Sequence, residues 1–378
     1  MIKVCHIANN ITGKADGVYA HLKMIFRNSD NKKFQHYLIF HGGKKIEKEL
    51  SEMGIKVFVS QSLKKKISVK AFIDICNFIK KNDIQIIHAH FIKPYAISGL
   101  VNIFLRRKFI FNYHGLFIFK NNYYGWIEKI IYGSIHYLIN IFKAVDVVLV
   151  PSKRSKELLL AETKLFPEPV VYYNGYSNDE TLTEINSELY SYIEKLKKEK
   201  IIIAIVGRLE IDKRIDKAIN IFKNINLRGY KIHLLIFGDG KLEIDLKNLV
   251  NKLYLIKQMD FLGYIEGVNK YYNLFDVVLF TSDWEGMPIT MWEAMAHKVP
   301  VIAPDVGGFK EILEVNNCGF IYNPDNLKEA ELKLQNLIAD ISLRENLGMN
   351  GIKAIEEKYN VNNFIKQIEN VYLSLLVE

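Results

Sequence analysis

The chain has 378 residues, 49% of them apolar and 25% charged, with a formal net charge of +9. At roughly 100–200 residues per domain, this length predicts two domains, each large enough for its own core. The composition excludes a disordered chain, a fibrous repeat and a small disulfide-stapled scaffold. The three cysteines (Cys5, Cys76 and Cys318) are odd in number and far apart, so they predict neither a disulfide framework nor a cysteine-based zinc site.

Basic and acidic residues are unevenly divided along the chain. Residues 1–175 hold 27 Lys and Arg against 12 Asp and Glu, whereas the remainder holds 24 against 30. A basic amino-terminal half indicates that this half meets an anionic surface or substrate. The alternative is a solvated lysine surface, which explains excess lysine in general but not the asymmetry between the halves.

Short apolar, β-branched segments alternate with helical stretches in both halves of the chain. Several segments are apolar on both faces, as expected for strands of parallel sheets covered by helices. The predicted strands are Lys3–Asn9, His36–His41, Lys56–Ser60, Ile84–His90, Lys108–Tyr113, Asp146–Val150, Val170–Tyr173, Ile201–Val206, Lys231–Phe237, Met259–Leu262, Asp276–Phe280, Val299–Ala303 and Gly319–Tyr322. Two successive α/β sets therefore favour two Rossmann-like domains.

The domain boundary is predicted in the polar stretch that follows Gly175. We expect an amino-terminal domain at 1–176, a linker at 177–199, a carboxy-terminal domain at 200–358, and a terminal helix at 359–378 that can return to the first domain. The longest uncharged run, residues 130–142, is too short to span the ~30 Å hydrocarbon core of a bilayer. The amino terminus is typical of a strand and not of a signal peptide, so we expect a cytoplasmic protein.

Residues suited to binding phosphate and sugar follow several strands of the second half, where ligands of open α/β sheets bind. Gly207 leaves room for a ligand, and Arg208 and Lys213 supply cations for phosphate oxygens. A surface ion pair is the alternative interpretation of each cation. Gly238-Asp-Gly follows the next strand, but Glu243 occupies the position of the third glycine in a dinucleotide fingerprint.

Two glutamates flank the start of a helix predicted from Pro288 to about His297. The helix amino terminus is a ready anion site. Glu285 before the helix and Glu293 inside it cannot bind phosphate, but they can accept hydrogen bonds from hydroxyl groups. The pattern suits a sugar nucleotide. The alternative is that Glu285 only complements the helix dipole and that Glu293 only faces solvent.

These loops resemble those of the retaining family 4 glycosyltransferases, whose GT-B fold is an α/β architecture of two Rossmann-like domains with parallel sheets facing across a cleft. The motifs that carry the resemblance are Gly207-Arg-Leu with Lys213, Glu285-Gly with Glu293-Ala-Met-Ala, Pro300-Val-Ile-Ala with Gly307-Gly308 and Glu311, and, more loosely, Asp16-Gly-Val, Ile87-His-Ala-His, His114-Gly, Val150-Pro-Ser and Asn174-Gly. Asp16, Arg214 and Lys298 depart from the family pattern, because each stands where glycine is usual.

The resemblance implies a set of site residues and no cofactor or metal requirement. The catalytic residues it implies are Arg208 and Lys213 at the donor diphosphate, with Glu285 and His114 at the transferred sugar. The donor-binding residues it implies are Gly17, Gly207, Gly238, Tyr264, Ile265, Gly286, Met287, Pro288, Ile289 and Glu293. Within this set, Glu293 binds the ribose hydroxyls, and Tyr264 and Ile265 lie against the base.

His88 and His90 lie two apart at the end of a predicted strand and therefore share a face. No carboxylate or cysteine accompanies them at ligand spacing, so we expect histidines that line the cleft and not a metal site. Basic residues interleave with apolar ones in the first half, at Lys64–Lys66, Lys70, Lys80–Lys81 and Arg106–Lys108, and an aromatic-rich stretch covers Tyr123–Lys143. Without a nucleic-acid recognition motif, this charge favours anionic inner-membrane lipid or a lipid-diphosphate acceptor, whereas Tyr123–Lys143 read alone equally fits a buried helix.

The sequence thus predicts retaining transfer of a hexose or N-acetylhexosamine from a nucleotide diphosphate sugar, a UDP-sugar favoured, to a hydroxyl group. The expected acceptor is a glycan or polyprenyl-diphosphate-linked oligosaccharide of a bacterial surface polysaccharide, such as lipopolysaccharide O-antigen or capsule. Such an enzyme is expected on the cytoplasmic face of the membrane. The alternatives are a sugar-nucleotide epimerase of the same fold and a non-catalytic sugar-nucleotide or membrane-binding module.

Overall fold

The computed structural model describes residues 1–11, 17–65, 68–115, 125–177 and 184–377. The chain divides into two compact units, Met1–Asn174 with Val361–Glu378, and Gly175–Asn360. The first unit thus ends two residues before Tyr176, where the sequence places the domain end. The stretch predicted as a linker contains a helix of the second unit, Ser187–Glu199.

A seven-stranded parallel sheet forms the centre of the first unit within the described residues. Its strands are β1 (Ile2–Ile11), β2 (Phe34–Gly42), β3 (Lys56–Val59), β4 (Ile86–His90), β5 (Lys108–Asn112), β6 (Val147–Val150) and β7 (Val170–Val171). Its helices are α1 (Gly17–Asn28), α2 (Lys44–Glu52), α3 (Val69–Asn82), α4 (Ile92–Leu105), α5 (Trp126–Ile141) and α6 (Lys153–Glu162), with a 3-10 turn at Gln61–Lys64.

The second unit is built on a six-stranded parallel sheet in the part of the chain that the structure describes. Its strands are β8 (Ile201–Val206), β9 (Ile232–Phe237), β10 (Met259–Gly263), β11 (Val277–Leu279), β12 (Val301–Pro304) and β13 (Gly319–Tyr322). Its helices are α7 (Ser187–Glu199), α8 (Ile215–Asn226), α9 (Glu243–Lys252), α10 (Ile289–Ala296), α11 (Phe309–Leu313), α12 (Leu327–Ala339) and α13 (Ile341–Glu357), with 3-10 turns at Ile211–Lys213 and Val268–Leu274. The last helix of the chain, α14 (Val361–Ser374), belongs to the first unit.

Both sheets confirm the predicted fold class, and each predicted strand is observed with ends that differ by no more than two residues. The strand orders are β3-β2-β1-β4-β5-β6-β7 and β10-β9-β8-β11-β12-β13. In each sheet, successive strands of the chain are added first toward one edge and then toward the other. The switch lies between the neighbouring parallel strands β1 and β4 in the first unit and β8 and β11 in the second. In doubly wound folds, ligands bind at this switch, beyond the carboxyl ends of the strands.

Helices cover both faces of the first sheet, which explains why its strands are apolar on both sides. Leu22 and Ile25 of α1 pack with Phe364 and Ile368 of α14 on one face. Helices α3, α4 and α5 contribute to the core on the opposite face. The returning helix α14 therefore buries the strand residues of the face that it shares with α1. Among the described residues, no helix combines the length and apolarity needed to cross a bilayer.

Candidate active site

Two strand exits of the second unit meet at the switch in its sheet. Strands β8 and β11 are paired neighbours, with Ile203 in register with Val277. Lys213 follows β8 and Glu285 follows β11, and the Lys213 Nζ lies 2.6 Å from Glu285 Oε1. The fold therefore joins a predicted phosphate-binding cation to a predicted sugar-binding carboxylate, although the two are 72 positions apart.

The contact between Lys213 and Glu285 is shielded from solvent. Their side chains are 19% and 8% exposed, and the Ser282 hydroxyl donates a second hydrogen bond to Glu285 Oε1 at 2.7 Å. A pair this buried differs from an exposed ion pair, because removal of one partner leaves the other charge uncompensated. The alternative of a solvated surface pair therefore does not describe Lys213.

Asp212 links the two predicted cations, although no sequence motif marks it. Its Oδ2 lies 3.6 Å from Arg208 Nη2 and 4.0 Å from Lys213 Nζ, and the residue is buried. Its Oδ1 has no hydrogen-bond partner among the described residues. Asp212 can therefore hold both cations at the exit of β8, whereas Arg208 itself remains 47% exposed. The one available signal was its position immediately before Lys213.

Helix α10 begins beside this cluster. Pro288 is its N-cap, so the helix starts at Ile289, one residue later than predicted; Met287 before it is buried. The backbone N–H of Gly308 donates to the Gly286 carbonyl at 3.0 Å. At Gly307, φ is +56° and an added Cβ would lie 2.2 Å from the Glu285 carbonyl oxygen. Gly307 thus allows the two loops to pack closely around the positive end of the helix.

Gly207 and Gly238 are both predicted to bind the donor, but they differ in the space that the protein leaves for a side chain. At Gly238, φ is +129° and an added Cβ would lie 1.9 Å from the Gly207 carbonyl oxygen, so packing within the protein demands glycine. A Cβ at Gly207 meets nothing within 4 Å. The open space at Gly207 is therefore available for a ligand. Tyr264 and Ile265 lie half-buried directly after Gly263, whose carbonyl accepts the Gly238 N–H at 2.7 Å.

Glu293, on α10, contacts Tyr272, a residue that no sequence motif marks. The Tyr272 hydroxyl donates to Glu293 Oε2 at 2.9 Å. Burial raises the pKa of the Glu293 carboxyl above its usual value, and the hydrogen bond from Tyr272 opposes that shift in part. Burial also raises the pKa of Tyr272, and the Glu293 charge adds to the effect. Glu293 is thus a desolvated hydrogen-bond acceptor.

The predicted residues of the first unit lie at the carboxyl ends of its strands. His114 follows β5, and its Nε2 lies 3.1 Å from Nδ1 of His90, which ends β4. Burial lowers the pKa of His114 well below its usual value, and the charge of His21 adds to this effect. The ring is therefore neutral near pH 7. Gly17 is exposed at the start of α1. Asp16, like Lys66 and Tyr123, lies outside the described residues.

Comparisons with known proteins identify the family. Residues 186–354 match the model of glycosyl transferases group 1, and residues 15–180 match that of Glycosyltransferase Family 4. Together the two models cover most of the chain. The chain belongs to the family 4 glycosyltransferases. The capsular polysaccharide biosynthesis glycosyltransferase CapM of Staphylococcus aureus is 28% identical over 248 residues, 64% of each chain. The N-acetyl-alpha-D-glucosaminyl L-malate synthase of Bacillus anthracis is 28% identical over 179 residues, 47% of this chain and 46% of that protein.

These alignments span about half to two thirds of the relatives' own lengths. Among solved structures, Anabaena Alr3699/HepE in complex with UDP and glucose has a TM-score of 0.80 at 17% identity, over 99% of this chain and 100% of that chain. The Rickettsia africae ESF-5 glycosyltransferase has a TM-score of 0.79 at 20% identity, over 98% of each chain. At this identity the structural likeness shows the GT-B fold.

Two residues that depart from the family pattern share a backbone feature. Arg214 and Lys298, which stand where the family usually has glycine, have φ of +48° and +61°. Glycine adopts this region without steric cost, whereas other residues need support from their surroundings. Arg214 has such support, because its guanidinium lies 2.9 Å from Asp216 and 3.2 Å from Asp283. These ion pairs thus support the left-handed backbone conformation that Arg214 adopts.

Proposed function

We propose that this chain transfers a sugar from a nucleoside diphosphate donor, a UDP-sugar favoured, to an acceptor hydroxyl with retention of configuration. The observation that carries the proposal is the contact of Lys213 with Glu285, beside Asp212 and Arg208 and next to the amino end of α10. Family membership and the UDP complexes of Alr3699/HepE support it. The name of CapM supports an acceptor in a surface polysaccharide, a glycan or polyprenyl-diphosphate-linked oligosaccharide.

In this mechanism the second unit stabilises the charge that develops on the departing diphosphate. Arg208, Lys213 and the helix dipole of α10 supply positive potential beside the diphosphate, so the diphosphate itself requires no divalent cation. Donor binding draws Lys213 toward the phosphate oxygens and frees Glu285 to accept hydrogen bonds from the sugar. Glu293 accepts hydrogen bonds from the ribose hydroxyls, and the half-buried Tyr264 and Ile265 lie against the base.

In the proposed reaction, the acceptor and the leaving group lie on the same face of the sugar. The acceptor oxygen forms its bond to the anomeric carbon as the bond from that carbon to the diphosphate oxygen breaks. The acceptor proton passes to the departing diphosphate, so no separate base is needed. We assign acceptor binding to the first unit, where the neutral His114 can exchange a hydrogen bond with a hydroxyl group.

Nucleotide binding and product analysis together test the proposed function. Titration calorimetry with UDP, GDP, ADP and NAD is expected to show selective binding of one nucleoside diphosphate, UDP favoured. Incubation with the matching sugar nucleotides is then expected to release free UDP only in the presence of an acceptor. Conversion of the donor sugar without acceptor would establish the epimerase instead. Binding without any turnover would leave a non-catalytic module, and binding of NAD alone would overturn the proposal.

We also propose that the first unit docks on an anionic membrane surface through α5. Large apolar side chains emerge along one side of this helix: Trp126, Ile127, Ile130, Tyr137, Leu138 and Ile141, with exposed fractions between 42% and 74%. The opposite side is buried and includes Tyr132, His136 and Ile139. A helix with an exposed apolar face near basic residues is typical of interfacial binding. Exposed Arg106 lies beside its end, with the guanidinium donating to the Phe142 carbonyl at 2.6 Å.

Sedimentation with lipid vesicles checks the role of this face. The double variant Ile130→Glu, Ile141→Glu is expected to lose at least about tenfold in affinity for anionic vesicles at low salt, because two apolar contacts are exchanged for charges that repel the surface. Ile244→Glu is the control, since Ile244 is 74% exposed on α9 of the second unit. If the double variant sediments like the wild type, or if the wild type does not sediment, α5 is not a membrane-docking helix.

A further inference from the structure

Six imidazoles lie close together in the first unit, on the face of the sheet that α1 and α14 cover. His6 on β1 is in register with His88 on the neighbouring strand β4, and His90 follows on the same side of β4. The rings of His88 and His90 stack with centroids 4.4 Å apart. The six residues are His6, His21, His36, His88, His90 and His114. The sequence showed His88 and His90 without a third ligand; the fold supplies His6.

The outer nitrogens of His6, His88 and His90 are each held by a neighbouring side chain. His90 Nδ1 lies 3.1 Å from His114 Nε2, and His6 Nε2 lies 3.2 Å from His36 Nδ1. His88 Nδ1 lies 2.9 Å from the Tyr372 hydroxyl of α14. These contacts fix the ring orientations and can hold the proton of each neutral ring on its outer nitrogen. The inner nitrogens are then left with lone pairs.

Ring nitrogens of the three histidines come close to one another. One ring nitrogen from each of His6, His88 and His90 lies within 4.8 Å of the other two. His6 Nδ1 and His90 Nε2 face each other at 3.2 Å, and His88 Nε2 is buried with no hydrogen-bond partner among the described residues. Two nitrogens bound to tetrahedral zinc at ~2.0–2.1 Å lie about 3.4 Å apart. A side-chain adjustment of at most about 1.4 Å therefore brings the three nitrogens to that spacing.

We propose that His6, His88 and His90 bind one divalent transition-metal ion of the zinc type. Imidazole nitrogens suit this class of ion, and three protein ligands leave a fourth position for hydroxide or another small anion, which offsets part of the ion's charge. His36, His114 and Tyr372 are then outer partners that accept hydrogen bonds from the ligating rings, the arrangement that usually accompanies metal-bound histidine.

A metal-free chain of hydrogen-bonded imidazoles is the competing interpretation. In that chain, one proton between His6 Nδ1 and His90 Nε2 forms a hydrogen bond, so both nitrogens have a partner without a metal ion. The chain leaves His88 Nε2 buried and unsatisfied, however, at a cost of about 1–3 kcal/mol for such a group. A metal ion uses this nitrogen together with the other two. The buried His88 Nε2 is therefore the observation that favours the metal.

Metal binding would also fix the tautomer of His114. A metal on His90 Nε2 keeps the proton on His90 Nδ1, which donates to His114 Nε2, so that the His114 proton resides on Nδ1. The site consists of residues of the first unit alone and does not rest on the proposed sugar transfer. Its test is binding of the metal itself.

Cobalt and zinc titrations of the full-length, metal-stripped protein test the site. We expect one equivalent of Co²⁺ per chain, with the visible absorption of a tetrahedral ion, and displacement by one equivalent of Zn²⁺ in elemental analysis. His88→Asn and His90→Asn are informative because asparagine retains a polar atom near the position of Nδ1 and removes Nε2. Each variant is expected to weaken binding by about 100-fold or more, since it removes a direct ligand and not only an outer partner.

His136→Asn is the matched control. His136 is a buried histidine of the same unit that lies 2.8 Å from the Tyr95 hydroxyl and 3.0 Å from the Thr163 hydroxyl, outside the proposed ligand set. It should bind Co²⁺ like the wild type. X-ray absorption of the wild type with Zn²⁺ needs no variant and should show three imidazoles on the ion. A wild type that takes up no stoichiometric metal, or a spectrum without histidine ligands, overturns the proposal in favour of the metal-free chain.

Discussion

Replacing Arg208 with alanine is expected to lower turnover by about 10²–10³-fold, the usual cost of removing one fixed group that stabilises transition-state charge. The fold should be unaffected, because the Arg208 side chain is 47% exposed, its ion pair with Asp212 is long, at 3.6 Å, and Lys213 still lies 4.0 Å from Asp212. A mutation whose main loss is transition-state stabilisation lowers kcat without a matching change in melting temperature. Steady-state kinetics and thermal unfolding of the same preparation measure both quantities.

Arg228 provides a closely matched control for Arg208. Its side chain is also 47% exposed, and its guanidinium lies 3.6 Å from a buried carboxylate, that of Glu331. Arg228→Ala therefore removes the same kind of ion pair from the same unit, but at a place with no proposed role in catalysis. If Arg208→Ala retains near-wild-type turnover, or if both variants lose turnover equally, Arg208 does not stabilise the diphosphate.

Lys213 is a poorer choice for this experiment, although it is expected to share the role. Its removal leaves the Glu285 carboxylate with the Ser282 hydroxyl but without a counter-charge, and that side chain is 8% exposed. Breaking one partner of a buried pair typically costs about 3–5 kcal/mol. Lost turnover in a Lys213 variant would thus mix chemistry with instability, whereas Arg208 separates them.

The sequence predicted the strands well because their pattern is local. Segments such as Ile201–Val206 and Lys231–Phe237 are apolar on both faces, and only strands covered by helices on both sides bury such segments. The position of the candidate site followed from the same pattern, because residues at strand exits converge wherever parallel strands end together. Lys213 and Glu285 meet for this reason, on neighbouring strands β8 and β11.

The contacts that the sequence did not reveal depend on pairing between distant segments. Asp212 and Tyr272 carry no motif of their own, and their importance lies in the atoms that they touch, at Arg208 and Glu293. His6 lies 84 positions before His90, and only the register of β1 with β4 places the two rings together. Periodicity predicts which face a residue occupies, but not which residue of another strand lies beside it.

Glu293→Gln is expected to raise stability at neutral pH while weakening donor binding. Burial raises the carboxyl pKa above its unfolded value, so the favourable contribution of Glu293 to folding is present at low pH and is lost as the pH rises through the raised pKa. Glutamine carries no charge and avoids that loss. The gain in melting temperature over the wild type should therefore shrink as the pH falls toward ~4, where the glutamate is protonated in both states.

Tyr272→Phe provides the opposite case for stability. It keeps the carboxylate but removes the hydroxyl that donates to Glu293 Oε2 at 2.9 Å, so it should lower the melting temperature at neutral pH.

In donor titrations, Glu293→Gln should weaken binding by about 10–100-fold, since hydrogen bonds to a charged group contribute about 1.5–3 kcal/mol each. A Glu293→Gln protein that is less stable at every pH would contradict the electrostatic account, and unchanged donor affinity would remove Glu293 from the ribose site. A protein that gains stability as it loses affinity would show that the buried carboxylate is retained for its ligand and not for the fold.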